Sequence, residues 1–337
     1  MKEYNVAIVG ATGLVGKEFI KILYQRKFPI KSLHLLASDK SAGRKIEVNG
    51  DTLEVKDTAG FDFAGIDFAL FSAGADVSLI YSPIAARAGA VVIDNSSAFR
   101  MDPDAPLVVP EINPGDIKAH KGIIANPNCS TIQMVMALNP LHKVNPIKRI
   151  IVDTYQSVSG TGSAAVDELL QQARDILAGH ETAPQVYPHQ IAFNVLPEIE
   201  AFLDNDYTRE EWKMVQETHK IMHAPEIAIS ATCARVPVLF GHSEAVHAEF
   251  SAPMAPDYAR KVLAQAPGVK VIDEPSSHGY PYAVMAEGKD EVFVGRIRRD
   301  ASHPNGLAMW IVSDNIRKGA ALNAVQIAEV MARERMV

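Results

Sequence analysis

The chain contains two cysteines, and one of them stands where sulfur chemistry is possible. Cys129 follows Ala125-Asn126-Pro127-Asn128, a turn that stops the short apolar run at 122–125. It precedes Ser130-Thr131-Ile132-Gln133-Met134-Val135-Met136-Ala137-Leu138, whose apolar residues have helical spacing. With an asparagine available as cap, the thiol falls at a helix N-terminus, where free N–H groups and the positive dipole end favour a thiolate. A cysteine in such a place can have its pKa lowered from about 8.5 into roughly the 3.5–7.5 range, which makes it a usable nucleophile at neutral pH. The competing reading is an inert buried thiol. Cys233 lies within an apolar strand run at 227–238, has no helix end to activate it, and reads as packing.

Three other groups could serve such a nucleophile. His242 stands in a Gly241-His242-Ser243 turn between strand patterns and offers a proton carrier titrating near neutral pH. Arg100 closes the loop 95–100 and is a candidate anion clamp, the competing reading being a surface arginine. Glu210 and Lys213 are three apart on a helical segment and share a face, which read plainly is a surface ion pair.

The elements that would position these groups begin with the apolar run 4–9, which ends in Gly10-Ala11-Thr12-Gly13-Leu14-Val15-Gly16 and passes into helical spacing over 17–23. Strand, glycine turn and helix together form a pyrophosphate cradle, although the spacing is GxxGxxG and not GxGxxG. A second strand at 33–37 leads into Ser38-Asp39-Lys40-Ser41-Ala42-Gly43-Arg44-Lys45, where hydroxyls and cations suit a 2′-phosphate and favour NADP(H). Asp39 keeps an NAD reading open. A strand at 66–71 ending at Ser72, a helix at 76–88 and a strand at 91–94 continue the alternation, which implies a parallel sheet with ligands gathered beyond its carboxyl ends.

Beyond Cys129 the pattern changes. A strand at 148–155 leads through Gln156 to Ser159-Gly160-Thr161-Gly162 and a helix at 163–178, and strand patterns return at 227–238 and 244–250. The expected fold is therefore α/β: a Rossmann-type dinucleotide-binding domain followed by an α+β domain with a mainly antiparallel sheet. The expected limits are 1–127 with 315–337 for the first and 128–314 for the second, the final helix, to about Arg333, packing back on the first domain. Residues 180–208 are Pro- and His-containing and poorly periodic, and read as loops that cross a partner or cover a site.

Composition narrows the function classes. With 337 residues, 47% of them hydrophobic, the chain can bury a large core and should form about two domains. A net charge of −7 and a pI near 5.9 argue against nucleic acid or an anionic membrane as the main partner. Two cysteines are too few for a disulfide framework and lack the paired spacing of a zinc site, so no metal is expected and the compartment should be reducing, with cytoplasm the default. No run approaches the ~18–20 apolar residues of a membrane span, and the N-terminus has no signal-peptide pattern.

Taken together, Gly10 to Gly16, Ser38 to Gly43, Asn126-Pro127-Asn128-Cys129-Ser130, Gln156 with Ser159 to Gly162, Glu210 with Lys213, Arg235 with Gly241-His242-Ser243-Glu244, and Asn315 to Gly319 resemble the aspartate-β-semialdehyde dehydrogenase family, in its order and over nearly the whole chain. The resemblance implies NADPH-dependent reductive dephosphorylation of L-4-aspartyl phosphate to L-aspartate 4-semialdehyde, reversibly, in the biosynthesis of lysine and diaminopimelate, threonine, methionine and isoleucine. It makes Cys129 the nucleophile that carries a thioester, His242 the acid/base that takes the thiol proton, and Gln156 the residue that orients the substrate. It sets Arg235 on the substrate carboxylate, Glu210 near its amino group, and Arg100, Lys213 and Asn128 on phosphate. Gly10, Thr12, Gly13, Leu14, Val15, Gly16, Ser38, Lys40, Ser41, Ser72, Ser159, Gly160 and Asn315 would hold the cofactor, and a homodimer is implied. The neighbouring reading is N-acetyl-γ-glutamyl-phosphate reductase, but an acylated substrate gives no reason for a carboxylate at Glu210. Glyceraldehyde-3-phosphate dehydrogenase would want an NAD-type second strand. A non-catalytic NADP-binding regulator would be expected to lack the nucleophile or His242.

Overall fold

The computed structural model describes residues 2–337, which divide into two compact units: one formed by the chain up to Asn128 together with Ala320–Val337, the other by Cys129–Gly319. In the first unit the order is β1 (Tyr4–Val9), α1 (Leu14–Gln25), β2 (Ile30–Ala37), β3 (Lys45–Val48), β4 (Asp51–Asp57), β5 (Phe68–Phe71), α2 (Ala75–Arg87), β6 (Val91–Asp94) and β7 (Ile123–Ala125), closed by a C-terminal helix, Leu322–Arg333. The strands lie in the order β3-β4-β2-β1-β5-β6-β7. All neighbours are parallel except β3 and β4. β5 and β6 are buried along their whole length because both faces of the sheet are covered. Val6, Ile8, Phe68, Leu70 and Ile93 pack with Phe19, Ile22 and Leu23 of α1 and with Leu322, Val325 and Ile327 of the C-terminal helix. Their alternates Ala7, Val9, Ala69, Phe71 and Val92 pack with Ala85 and the partly buried Val77 and Tyr81 of α2.

One feature departs from the sequence expectation. Lys45 does not belong to the basic loop but opens an antiparallel hairpin whose turn, Asn49-Gly50, has both residues at positive φ, 51° and 93°. Asn-Gly is the pair that a two-residue hairpin turn of this kind prefers.

In the second unit α3 (Cys129–Val144) is followed by β8 (Ile147–Gln156), α4 (Ser163–Leu177), α5 (Arg209–Met222), β9 (Ala228–Arg235), β10 (His242–Phe250), α6 (Pro256–Ala264), β11 (Val269–Val271), α7 (Ala283–Ala286), β12 (Val292–Arg299) and β13 (Gly306–Ser313). The sheet order is β11-β12-β13-β10-β8-β9. Its three central pairings are antiparallel, and the two outer ones, β8 with β9 and β11 with β12, are parallel. α3 is buried continuously from Ser130 to Asn139 because it is covered both by the sheet and by α5 and α6.

The loops of 180–208 are fastened to α4 by two polar residues one turn apart. Glu168 accepts from the backbone N–H groups of Gln185 and Val186, and Gln172 Oε1 accepts from those of Ile191 and Ala192. Leu196 then exchanges backbone hydrogen bonds with Arg235 at the end of β9. The loops thus lie over α4 and reach the start of the site. The C-terminal division falls at Gly319/Ala320 and not at 314/315, because Asp314 caps Ile316 and Arg317 and holds Gly288, all within the second unit.

Candidate active site

Cys129 is the first residue of α3 and is only partly buried, and no acidic side chain occupies the first turn of that helix. Its Sγ lies 3.1 Å from Nε2 of His242. His242 opens β10 and does not sit in the turn the sequence suggested; the turn is Gly241, whose φ of +88° and close approach to the Ala283 carbonyl leave no room for a Cβ. Gly319 is similarly constrained: a Cβ there would come 2.9 Å from that of Cys129.

The histidine's other nitrogen fixes its chemistry. Nδ1 accepts the backbone N–H of Ser157 at 3.0 Å and also contacts Ser157 Oγ at 3.1 Å. A backbone amide can only donate, so the neutral ring carries its proton on Nε2, facing the sulfur. Burial, reinforced by the positive charge of Arg235, pushes the imidazole down to about 3, with Glu210 opposing. With Nδ1 taken by an amide and the ring neutral, His242 offers Sγ a donor, where the sequence suggests a proton carrier titrating near neutral pH. That arrangement favours a thiolate.

The remaining groups form a connected set in the same unit. Arg235, at the end of β9, donates from Nη1 to the Ser157 carbonyl at 2.8 Å. Gly160 lies against it, since a Cβ there would meet Arg235 Nη1 at 3.0 Å and the His242 ring at 3.3 Å. Gln156 is buried at the end of β8 and donates from Nε2 to Glu210 Oε1 at 3.1 Å. Glu210 Oε2 accepts from Lys213 at 3.3 Å. Glu210 is 4% exposed, so the pair is not the surface ion pair its spacing suggested, and Lys213 is also bridged to Glu200. The α5 helix that carries both is fixed by a capping box, Thr208 with Glu211.

Asn315 is a strut between the turns. Its Oδ1 accepts from Gly241 N–H at 2.8 Å and from Ser157 Oγ at 3.1 Å, and its Nδ2 donates to Ser159 Oγ at 3.0 Å. Ser157, Gly241 and Gly319 are residues that sequence reasoning gave no role. Cys233 is buried beside Met214, and desolvation, with Glu210 adding to it, raises its thiol well above the ordinary range.

In the first unit, Arg100 is 8% exposed, and its guanidinium donates to the backbone carbonyls of Asn126 and Asn95, each at 3.0 Å. Asn128 is buried in the same unit. The glycine turn fits a dinucleotide. Gly10 and Gly16 are glycine for packing reasons, because a Cβ would meet the Ser72 carbonyl at 2.2 Å or the Gly10 carbonyl at 2.1 Å. Gly13 caps α1 with no side-chain hydrogen bond and no acidic residue in the first turn, which leaves the positive end of α1, with Thr12, Leu14 and Val15 about it, suited to a pyrophosphate. Ser38, Lys40 and Ser41 form a short turn directly after β2, with Asp39 folded onto the Lys40 N–H. The basic and hydroxyl groups there suit a ribose 2′-phosphate.

Residues 5–120 match the family model described as semialdehyde dehydrogenase, NAD binding domain, and residues 138–318 match semialdehyde dehydrogenase, dimerisation domain. An aspartate-semialdehyde dehydrogenase of Legionella pneumophila is 57% identical over 336 residues, 99% of this chain and 97% of that protein. The chain belongs to the aspartate-semialdehyde dehydrogenase family. A solved structure of aspartate semialdehyde dehydrogenase II from Vibrio cholerae, complexed with ASA, superposes with a TM-score of 0.97 at 49% identity and covers 99% of both chains. A more distant aspartate semialdehyde dehydrogenase, from Candida albicans with NADP, gives a TM-score of 0.77 at 26% identity over 100% of both chains. As a member of the aspartate-semialdehyde dehydrogenase family, the chain is an oxidoreductase built from a Rossmann-type NAD(P)-binding domain and a dimerisation domain. Among the described residues no helix is long and apolar enough to cross a membrane.

Proposed function

We propose that the chain catalyses the reversible, NADPH-dependent reductive dephosphorylation of L-4-aspartyl phosphate to L-aspartate 4-semialdehyde through a thioester on Cys129, acting as a homodimer in the cytoplasm on the route to lysine, threonine, methionine and isoleucine. The observation that carries this reading is the contact between Cys129 Sγ and a histidine nitrogen that bears its proton, 3.1 Å away at a helix N-terminus. The thiolate attacks the acyl carbon, the bond from that carbon to the phosphate oxygen breaks, and phosphate leaves with a proton from solvent. A bound NADPH supplies the hydride that reduces the thioester. Throughout, the Nε2–H of His242 donates to whichever atom carries the negative charge, first Sγ and then the former carbonyl oxygen. Release of the aldehyde breaks the carbon–sulfur bond and returns the thiolate, so the imidazole need not give up its proton.

The other residues bind and orient. Arg235 takes the substrate carboxylate through its guanidinium fork. Glu210, held by Gln156, takes the ammonium; the burial of that carboxylate supports a free amino acid over an N-acylated one. Arg100, Lys213 and Asn128 take phosphate, and the Ser38-Lys40-Ser41 turn takes the 2′-phosphate of NADP. Ser159, Gly160 and Asn315 complete the set of residues assigned to the cofactor. The deciding assay is phosphate-dependent reduction of NADP⁺ with aspartate semialdehyde, run beside the N-acetylglutamate analogue. Turnover with the first and none without phosphate is expected; preference for the acetylated substrate would overturn the assignment.

A further inference from the structure

Glu244 is a fully buried carboxyl that the chemistry above does not use. It lies two residues after His242 on β10, so the two side chains share a face of the sheet, and its register partners are Thr154 of β8 and Ile311 of β13. It is 0% exposed, and neither oxygen meets a hydrogen-bond partner. A polar group that bears on it is the amide of Gln133, one turn beyond Cys129 on α3. That amide favours the charged carboxylate and so opposes the effect of burial, although its Nε2 stops short of a hydrogen bond and its Oε1 accepts from Ser313 at 2.7 Å. Glu210 bears on it from α5 and Cys233 from β9, and His242 and Arg235 stand at the same end of the sheet.

An ionised carboxylate without donors is costly in such a place, and a second one beside Glu210 is costlier. Burial first, and Glu210 after it, accordingly raise the Glu244 acid well above the usual carboxylate range. The catalytic groups around it must tolerate a thiolate, an anionic substrate and a developing oxyanion. One carboxylate charge, at Glu210, is already matched to a substrate ammonium, and nothing in the site is matched to another.

We propose that Glu244 is a positioning residue that works through its proton: as the neutral acid it completes the buried floor shared by the Cys129 helix and the His242 strand, and loss of that proton sets the alkaline limit of turnover. The proposal rests on the reading of Cys129 and His242 as the reacting pair. Its test uses Glu244→Gln, which keeps the shape and cannot ionise. In infrared spectra at neutral pH the wild-type enzyme should show a protonated-carboxyl carbonyl band that is missing from E244Q. E244Q should keep kcat/KM at neutral pH within about threefold and hold it further into the alkaline range than the wild type. Two results would overturn the proposal: no such band difference, or alkaline limbs that superimpose. A loss of more than about tenfold at neutral pH in a folded E244Q would also overturn it, by requiring the carboxyl itself to react. Should E244Q not fold, E244M gives the same two readouts. Because the band is read without substrate, failure of the functional assignment and failure of this proposal are told apart.

Discussion

The backbone N–H of Ser157 decides which nitrogen of His242 faces the nucleophile. It donates to Nδ1 at 3.0 Å, and the ring proton is thereby held on Nε2, 3.1 Å from Cys129 Sγ. An amide-to-ester replacement at residue 157 removes the N–H and adds no atom between the backbone and the ring, which a proline ring carbon would do. We expect a melting temperature within a few degrees of the wild type and a kcat/KM lowered about tenfold or more, with Ser157→Ala, which keeps the N–H, affected less. An ester variant with more than half of wild-type activity would show that the tautomer is not controlled there.

The depressed imidazole also bears on stability. Its ordinary value is 6.5 and its folded value about 3, so at intermediate pH the unfolded chain binds a proton that the folded chain refuses. Stability is unaffected by this group above 6.5 and falls as the pH drops from there toward about 3, with a slope approaching ~1.4 kcal/mol per pH unit. Denaturant unfolding of His242→Asn across this range should show a shallower acid decline than the wild type; parallel curves would mean that the ring is not held neutral.

Arg235 holds the Ser157 carbonyl and, in the proposed function, the substrate carboxylate. Lysine keeps the charge but loses the fork. For Arg235→Lys the KM for aspartate semialdehyde should rise about 10- to 100-fold, with a smaller change in kcat. Steady-state kinetics with an unchanged KM would remove Arg235 from the substrate site.

Lys40 tests the cofactor assignment. Replacing it with alanine should raise the KM for NADP about tenfold or more and leave that for NAD nearly unchanged, the difference being one charge-assisted contact to the 2′-phosphate. Equal effects on both cofactors would place the 2′-phosphate elsewhere.

Much of this was legible in the chain because the signals are local. The apolar run 4–9 into a glycine turn, and the Pro/Asn turn before Cys129, each declare a strand end and a helix start within a few residues. Less was legible where long-range contacts decide. The burial of Glu210 and its bond from Gln156 join residues far apart in sequence, so spacing alone suggested a surface pair. The role of Ser157 is carried by a backbone amide that no residue type advertises. The low value of His242 comes from burial and from Arg235 on a neighbouring element, neither visible in a Gly-His-Ser triplet. The β3–β4 hairpin, by contrast, carries a readable Asn49-Gly50 signal just beyond the cationic stretch 38–45.

The central claim is that a thiolate at residue 129 bonds covalently to the substrate's acyl carbon. It is tested most directly by mixing the enzyme with aspartyl phosphate in the absence of reductant, quenching in acid, and mapping the modified peptide by mass spectrometry. The account predicts one aspartyl adduct per chain, on Cys129, absent from Cys129→Ala and undisturbed in Cys233→Ala. An adduct on any other residue, or none from enzyme that turns over when NADPH is added, would contradict it.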